Sequence, residues 1–328
     1  MLNSGRRATL AGVAALLGSG GRTVPAAGQA MPAGPGRIPV GVAPGGGSDS
    51  SARLLAQVLS DAFGQKFIVE NRPGAAGSIA ADLVAKAAPD GATLLLSPAS
   101  LTSNPGVQPN LPFDHQKDLI PIVQAAIIPK SIAVHPDVPA RNILELAAYA
   151  RSNPQKVSCA SAGNGTIGHL SCELFNQRLG TRMVHVGYKG SSAAMQDTIS
   201  GQVQVLFDDV PTQMPQVRAG KLRILAVTGP RRLAEIPDVP TADESGLKGF
   251  FTQTWVGLFA PRETSPAYVA RINEVVNQAL KTAEVRERLA SMGMQPAGGT
   301  PSSFAALIAS ETKMWADVVR SAGLSIGN

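Results

Sequence analysis

Residues 37–64 read RIPVGVAPGGGSDSSARLLAQVLSDAFG and contain the pattern that decides the fold class. The apolar residues at 37–43 predict a strand, and apolar positions three or four apart, such as Leu55 and Leu59, predict a helix over 48–63. Between them lies a run of three glycines, which lets a backbone come close to a ligand. Because the first N–H groups of a helix lack partners and favour an anion, this strand–turn–helix unit predicts an anion-binding turn.

The same alternation continues toward the C-terminus. A predicted helix at 76–87 separates predicted strands at 66–70 and 92–97, the βαβαβ order that is typical of a largely parallel sheet. A second block then repeats this order. Its predicted strands are 131–134, 156–160, 182–186, 202–207 and 222–227, and its predicted helices are 142–151, 166–179, 191–200 and 211–219.

The C-terminal part departs from this order, because an apolar segment at 251–260 is followed by three predicted helices. We expect these helices to pack back onto the first block. The chain is therefore interpreted as α/β, with two domains that are each a mixed, mainly parallel sheet flanked by helices. The predicted bounds are 31–128 together with 250–328 for the first domain, and 129–249 for the second.

Residues 1–30 have the three parts of a secretory signal peptide. Arg6 and Arg7 give a basic start, residues 8–17 are apolar, and small residues lead to Ala30, near which we expect cleavage. The apolar run is shorter than the roughly 20 residues that span a bilayer. The sequence therefore predicts export to the periplasm, by either the general or the twin-arginine route.

The net charge looks different once this segment is set aside. The whole chain carries +6, but Arg6, Arg7 and Arg22 lie in the segment with no acidic residue, which leaves 26 basic and 23 acidic residues, a charge of +3. Aromatic residues make up only 4% and do not interleave with a basic run. The composition therefore predicts no nucleic-acid partner.

Cys159 and Cys172 are the only cysteines of the chain. A disulfide in an oxidising compartment and two buried thiols both fit this pair. A zinc site that adds His169 and His185 fits less well, because no CxxC pair is present. We predict no metal and no cofactor.

A second glycine-containing turn, SAGNGT at 161–166, lies between a predicted strand and a predicted helix. One such turn is equally well explained as a capped turn, but two of them, one in each domain, favour an anion clamp. Residues 163–168 also match GxGxxG, yet no acidic residue ends the following strand, which argues against a dinucleotide site.

Patterns typical of hydrolytic enzymes are missing. The sequence contains neither GxSxG nor HExxH, and its four histidines are scattered. Asp49, Asp208 and Asp209 could form acid–base pairs, although a helix cap or a contact to a ligand amine fits them as well. No pattern places a nucleophile beside its base, so we predict no catalytic residue.

Nine motifs, in this order along the chain, resemble one known family. They are PGGGSD at 44–49, VENRPGAAG at 69–77, APDG at 88–91, NP at 104–105, LPFD at 111–114, SAGNGT with HL at 161–170, VHVGYKG at 184–190, GKLRILAVT at 220–228 and IPDVPT at 236–241. The resemblance is to the Bug-type periplasmic solute-binding proteins of tripartite tricarboxylate transport systems. It spans the chain from about residue 35 to the C-terminus.

The resemblance implies a type II-like periplasmic-binding-protein flytrap with its ligand between the two domains. In this family, backbone N–H groups, hydroxyls and ordered waters hold a carboxylate. Carried over to this chain, the ligand residues of the first domain are Gly45, Gly46, Gly47, Ser48, Asp49, Ser97, Ser100 and Thr102. Those of the second domain are Ser161, Ala162, Gly163, Asn164, Gly165, Thr166, Tyr188 and Asp208.

Two departures from the family pattern bear on the ligand. Gly41 and Val42 stand where the family usually has proline and an aromatic residue, and Asp209 follows Asp208 where Asn is common. An additional carboxylate favours a ligand that carries an amine, such as an acidic amino acid.

We therefore expect a monomeric, non-enzymatic receptor for a small carboxylate, working with membrane transporter subunits. A sensor subunit that contacts a kinase is the alternative, and an enzyme on a related α/β scaffold is a weaker one.

Overall fold

The computed structural model describes residues 34–45, 47–108, 110–154 and 156–324. The predicted signal peptide and its cleavage near Ala30 lie outside these residues. Within the described ranges, no helix is both long enough and apolar enough to cross a membrane.

Strands and helices alternate through most of the described chain. Its first part contains β1 (Gly36–Val40), α1 (Gly47–Phe63), β2 (Phe67–Asn71), α2 (Ser78–Ala85), β3 (Leu95–Pro98), α3 (Ser100–Val107) and β4 (Leu119–Ile128). The middle part contains β5 (Lys130–Val134), α4 (Ile143–Ser152), β6 (Ser158–Ser161), α5 (Ile167–Leu179), β7 (Val184–Gly187), α6 (Ser191–Ile199), β8 (Val205–Asp209), α7 (Val210–Arg218) and β9 (Arg223–Val227). The last part contains β10 (Thr254–Pro261), α8 (Pro266–Ala279), α9 (Ala283–Ser291), β11 (Gln295–Pro296) and α10 (Pro301–Ala322).

The strands form two sheets, with the orders β11-β4-β10-β3-β1-β2 and β7-β6-β8-β5-β9. The chain passes from the first sheet to the second between β4 and β5, and returns between β9 and β10. This is the predicted fold class, two mixed sheets flanked by helices. The division into two domains, with bounds at 128–129 and 249–250, stays a prediction.

The sheets contain more antiparallel pairs than expected. The parallel pairs are those of the βαβ units: β1 with β2 and β3, and β6 with β7 and β8. β10 runs antiparallel to β3 and β4, β5 to β8 and β9, and β11 to β4. β4 and β5 lie in different sheets and are separated only by Pro129. Their antiparallel pairing with strands distant in sequence does not need the helical crossover that a parallel pair requires.

Helix α1 forms as the apolar spacing predicts. Leu54, Leu55 and Leu59 are at most 2% exposed, and α1 packs against β2 and α8. Full burial of one such side chain contributes about 1.5–3 kcal/mol, so this stripe anchors the glycine turn that precedes the helix.

The C-terminal helices pack on the first sheet, as expected. α8 contacts β4 and α1, and α10 contacts β4 and α3. α10 also contacts α5, a helix of the second sheet. α10 therefore lies against elements of both sheets.

The sequence analysis missed α3 and β4. α3 contains Pro105 and Gly106, which are poor helix formers, so its sequence gives no helical signal. The helix exists because tertiary contacts hold it, chiefly its packing against α10.

The structure shows which state the cysteine pair adopts. Cys159 in β6 and Cys172 in α5 form a disulfide. This bond decides between the alternatives left open above, and it removes both sulfurs as zinc ligands.

Candidate functional site

The turn between β1 and α1 contains the first group of predicted ligand residues. Gly45 and Gly47 are exposed, Ser48 is half-buried, and Gly46 lies outside the described residues. Gly45 has a φ of 91°, a left-handed conformation that glycine adopts without strain. Its N–H donates to Asp49 Oδ2 at 2.9 Å, so a side chain from the first turn of α1 closes the turn.

The Asp49 carboxylate is buried within this turn. Arg53 donates to both of its oxygens at 3.0 Å, and Asn71 Nδ2 donates to Oδ1 at 2.8 Å. The hydrogen bonds from Arg53 are the main cause that lowers the pKa of Asp49 to about 2, against burial, which raises it. Asp49 therefore shapes the turn, and its oxygens are already occupied by partners within the protein.

A tight turn, outside the set of ligand residues predicted from the sequence, lies beside this one. It is the single 3-10 turn Ala75–Gly77, in which Ala75 and Ala76 have φ values of 46° and 51°. Left-handed alanine costs roughly 1–2 kcal/mol per residue, and such strain is concentrated at functional sites. A Cβ on Gly41 would collide with Gly77. The absence of a side chain at Gly41 therefore lets this turn lie against the end of β1.

Helix α3 holds the strained turn in place. Ser100 Oγ donates to Ala76 O at 3.0 Å, and Asn104 Nδ2 donates to the same oxygen at 3.2 Å. The sequence GAAG at 74–77 indicates a turn. No local pattern in the sequence indicates that residues of α3 would donate hydrogen bonds to it.

The side chains of the other two predicted residues of this region make contacts within the protein. Ser97 is 4% exposed, and its Oγ donates to Pro98 O at 3.2 Å. Thr102 is 1% exposed, and its Oγ1 lies 3.1 Å from Glu311 Oε2 in α10. Both side chains are therefore used inside the protein.

The turn between β6 and α5 contains the second predicted group. Ala162, Gly163, Gly165 and Thr166 are half-buried and Asn164 is exposed. Thr166 is the N-cap of α5, and its Oγ1 accepts from the His169 N–H at 3.3 Å and donates to Gly163 O at 2.7 Å.

Two stacked histidines contact this turn. The rings of His169 and His185 are 3.8 Å apart and inclined by 16°. Burial lowers the pKa of His169 to about 4 and that of His185 to about 3, the latter also because His169 lies beside it. The Gly165 N–H donates to His169 Nδ1 at 3.0 Å, which makes that nitrogen the acceptor of a neutral ring. Both rings are therefore neutral at pH 7.

Ser161 and His185 form a contact that the sequence did not reveal. Ser161 Oγ lies 2.7 Å from His185 Nε2, the spacing of a nucleophile and its base. Ser161 is fully buried, however, and its Oγ also contacts Gly163 O at 3.1 Å. The contact therefore holds the turn, and Ser161 is not presented to a substrate.

Tyr188 and Asp208 lie at the ends of the neighbouring strands. The Tyr188 hydroxyl donates to Asp197 Oδ2 at 2.7 Å, and burial together with Asp197 raises the pKa of Tyr188 to about 12. Asp208 is 2% exposed, and burial raises its pKa, whereas Lys130 lowers it. Apart from the nearby Ser191 hydroxyl, Asp208 Oδ2 has no partner in the described part of the chain.

The additional carboxylate, Asp209, is paired within the protein. Lys130 Nζ lies 2.7 Å from Asp209 Oδ1 and 4.0 Å from Asp208 Oδ1. Lys130 is the first residue of β5, directly after the chain crosses from the first sheet. An amine for Asp209 is therefore already provided by the chain itself.

The predicted residues fall into two groups that are each internally connected. No hydrogen bond in the described ranges joins the group around α1 and α3 to the group around β6, β7 and β8. Between the sheets, two adjoining cavities of about 190 and 200 Å³ share Pro129, Leu233 and Gln295 as walls. The larger is also lined by Pro211 of α7 and by Met294, whose Sδ lies 3.1 Å from Ser51 Oγ in α1.

The described residues contain no group of three or more His, Cys, Asp or Glu side chains that could hold a metal ion.

The sequence matches a known family model over most of its length. Residues 51–324 match the model described as "Tripartite tricarboxylate transporter family receptor". The chain belongs to this receptor family. Members of this family, the Bug-type receptors, are periplasmic solute-binding proteins, and the resemblance seen in the sequence is confirmed. Protein BugT of Bordetella pertussis is a relative, 34% identical over 97% of this chain and 98% of its own length.

Three solved receptors have the same fold as this chain. The Rpa4515 protein of R. palustris "with adipate" is 32% identical, with a TM-score of 0.74 over 90% of this chain and 99% of the other. MatC from Rhodopseudomonas palustris "with bound malate" is 34% identical, with a TM-score of 0.71 over 88% and 99%. The periplasmic binding protein BugD is 32% identical, with a TM-score of 0.70 over 89% and 99%.

Proposed function

We propose that this receptor binds a small dicarboxylate between its two sheets and presents it to a membrane transporter of the tripartite tricarboxylate type. The observation that carries the proposal is the pair of glycine-containing turns before α1 and α5. The first turn is braced by the buried Asp49, and the second by the buried Ser161 together with the Thr166 cap. The N–H groups of the first helical turns that these braces do not use are then the donors for a carboxylate.

The chemistry bound by similar receptors supports this ligand class. Adipate and malate, named for the two Rhodopseudomonas receptors, both carry two carboxylates. At 32% and 34% identity these receptors are close enough for the mode of carboxylate binding to be shared.

The charges beside the second turn favour a dicarboxylate without an amine. Lys130 already pairs with Asp209, so a ligand amine would have to compete with a buried lysine. Acidic amino acids, which the sequence alone favoured, are therefore the less suitable ligands.

The receptor releases its ligand unchanged. The contact of Ser161 with His185 resembles catalytic machinery, but Ser161 is fully buried. A role without chemistry fits this burial, whereas an enzyme would need the hydroxyl to reach its substrate.

Binding is tested by calorimetry on ligand-free protein with adipate, malate, succinate, citrate, aspartate and glutamate. We expect at least one amine-free dicarboxylate to bind with a Kd of about 1 µM or tighter, and aspartate and glutamate to bind more weakly. Native mass spectrometry of freshly purified protein identifies any acid that co-purifies. A co-purified neutral or cationic compound, with no heat on adding any of the acids, would refute the carboxylate class.

The partner is tested in cells. Deletion of the gene should abolish uptake of the bound acid while induction of genes by that acid persists. Loss of induction with intact uptake would instead assign the receptor to a sensor kinase.

A further inference from the structure

Glu311 is a buried acid away from both glycine-containing turns, and the proposed binding mechanism does not use it. It lies in the middle of α10 and is 7% exposed. Its Oε2 accepts from Trp255 Nε1 at 2.9 Å and lies 3.1 Å from Thr102 Oγ1. One carboxyl oxygen therefore contacts both β10 and α3.

These contacts converge on the first turn of α3. The Ala99 N–H donates to Trp255 O at 3.0 Å, and Thr102 Oγ1 lies 2.8 Å from Ala99 O. Ser100, between them, donates to Ala76 O in the strained turn. A chain of direct contacts thus runs from Glu311 through the start of α3 to the turn Ala75–Gly77.

No cation neutralises Glu311. Among the described residues it takes part in no ion pair, and α3, β4 and β10, which pack around it, contain no charged residue. The charged and titratable groups on the other elements that contact α10 are His169, Glu173 and Arg178 of α5 and Tyr268, Arg271 and Glu274 of α8. On α10 itself, Lys313 and Arg320 pair with Asp317, and His115 contacts Thr312.

Burial without a cation favours the neutral acid. Burial raises the pKa of Glu311 to about 7, and the hydrogen bonds from Trp255 and Thr102 reduce this effect only in part. Ionisation of this carboxyl group favours an opened state in which water reaches it, and this opening separates α3 from α10.

We propose that Glu311 is a positioning residue, which in its protonated form holds the first turn of α3 and, through it, the strained turn at the ligand site. Loss of the proton loosens α3 and weakens ligand binding. The effect on affinity rests on the proposed function, whereas the effect on α3 does not.

The first test needs no ligand. In ¹⁵N-labelled protein, the indole N–H signal of Trp255 should titrate with a midpoint near neutral pH. Amide exchange in α3, corrected for its intrinsic pH dependence, should speed up by about three- to tenfold between about pH 6 and about pH 8.5. Glu311→Gln keeps an oxygen for Trp255 and Thr102 but cannot ionise, so both profiles should become flat.

The second test uses the acid of the calorimetric panel that binds most tightly. Its affinity should fall by about three- to tenfold over the same pH range, where dicarboxylates stay ionised and the buried histidines stay neutral. Glu311→Gln should bind at high pH as the unmodified protein does at low pH. Glu311→Ala, which lacks both contacts, should bind weakly at every pH. Asp317→Asn removes an exposed carboxylate from the same helix and should leave the profile unchanged.

The outcomes separate the two proposals. A Trp255 signal and α3 exchange that do not titrate, or that titrate equally in Glu311→Gln, would overturn the role of Glu311. If no acid binds, the proposed function fails, while the indole and exchange profiles still decide about Glu311. Affinity that is constant with pH, alongside titrating α3 exchange, would overturn the coupling to the ligand site.

Discussion

The turn before α1 and the turn before α5 look alike in the sequence, but the protein braces them with different chemistry. The first is held by an ion pair, in which Arg53 and Asn71 fix the carboxylate of Asp49. The second is held by neutral groups, in which His185 supports Ser161 and Thr166 caps the helix. A charged brace depends on an ionised acid, whereas a neutral brace depends on histidines that stay unprotonated. The two turns should therefore lose their stabilising contacts at different pH values.

Acid should produce the largest difference between the two turns. His169 and His185 have folded pKa values of about 4 and about 3, below their ordinary value of 6.5, so the unfolded chain binds protons more readily. Their contribution to stability is therefore complete above pH 6.5 and is lost as the pH falls toward these folded values. The contribution of Asp49, whose pKa falls from 3.8 to about 2, is lost only between those values.

Amide exchange across the pH range measures this order. Amides of the turn before α5 should lose protection at a higher pH than those of the turn before α1. Simultaneous loss in both turns would show that the two braces are not independent.

Replacing Asp49 should have the largest effect of any single substitution in these turns. Asp49→Ala removes the carboxylate that accepts from Arg53, Asn71 and the Gly45 N–H, and so opens the Gly45 turn. We expect unfolding free energy to fall by about 2 kcal/mol and ligand affinity to fall at least tenfold. Urea denaturation and calorimetry measure the two effects.

The matched control is Asp82→Ala, which removes the acid of another i,i+4 pair, with Lys86. That pair is more exposed, so we expect a loss below about 0.5 kcal/mol. Equal losses of unfolding free energy in the two variants would mean that the pair of Asp49 with Arg53 stabilises only its own helix and not the Gly45 turn.

His185→Phe should have a smaller effect. The phenyl ring keeps the stack on His169 but offers no nitrogen to Ser161, so Ser161 loses a hydrogen-bond partner. We expect a loss of about 1 kcal/mol in urea denaturation and weaker ligand binding. The control is His135→Phe, which lies remote from both turns. An equally large loss of stability and affinity in this control would show that the effect of His185→Phe is not specific to the turn before α5.

Tyr188→Phe should have the smallest effect. It removes one hydrogen bond, to the half-buried Asp197, and we expect a loss of about 0.5–1 kcal/mol. Affinity should change less than twofold, because the hydroxyl is used inside the protein. A large loss of affinity with unchanged stability would instead place the hydroxyl on the ligand.

The sequence predicted the elements around both turns well, because each strand and helix there has a clear apolar pattern and a glycine boundary. It gave no sign of α3, since Pro105 and Gly106 hide a helix that exists through packing on α10. It also placed Asp49 and Thr102 among the ligand residues. In the fold, the oxygens of Asp49 are taken by Arg53, Asn71 and Gly45, and Thr102 faces Glu311.

By itself, the sequence determined the fold class, the family and the two glycine-containing turns. These follow from local spacing, because apolar periodicity and glycine conformations act over a few residues. Only the tertiary structure decided which groups brace each turn, since Asn71 of β2 reaches Asp49 of α1, and His185 reaches Ser161 from the neighbouring strand. Likewise, Lys130 of β5 reaches Asp209 on the neighbouring strand β8. The same is true of Glu311, because the burial that raises its pKa comes from elements about 56 and 209 residues away in the chain.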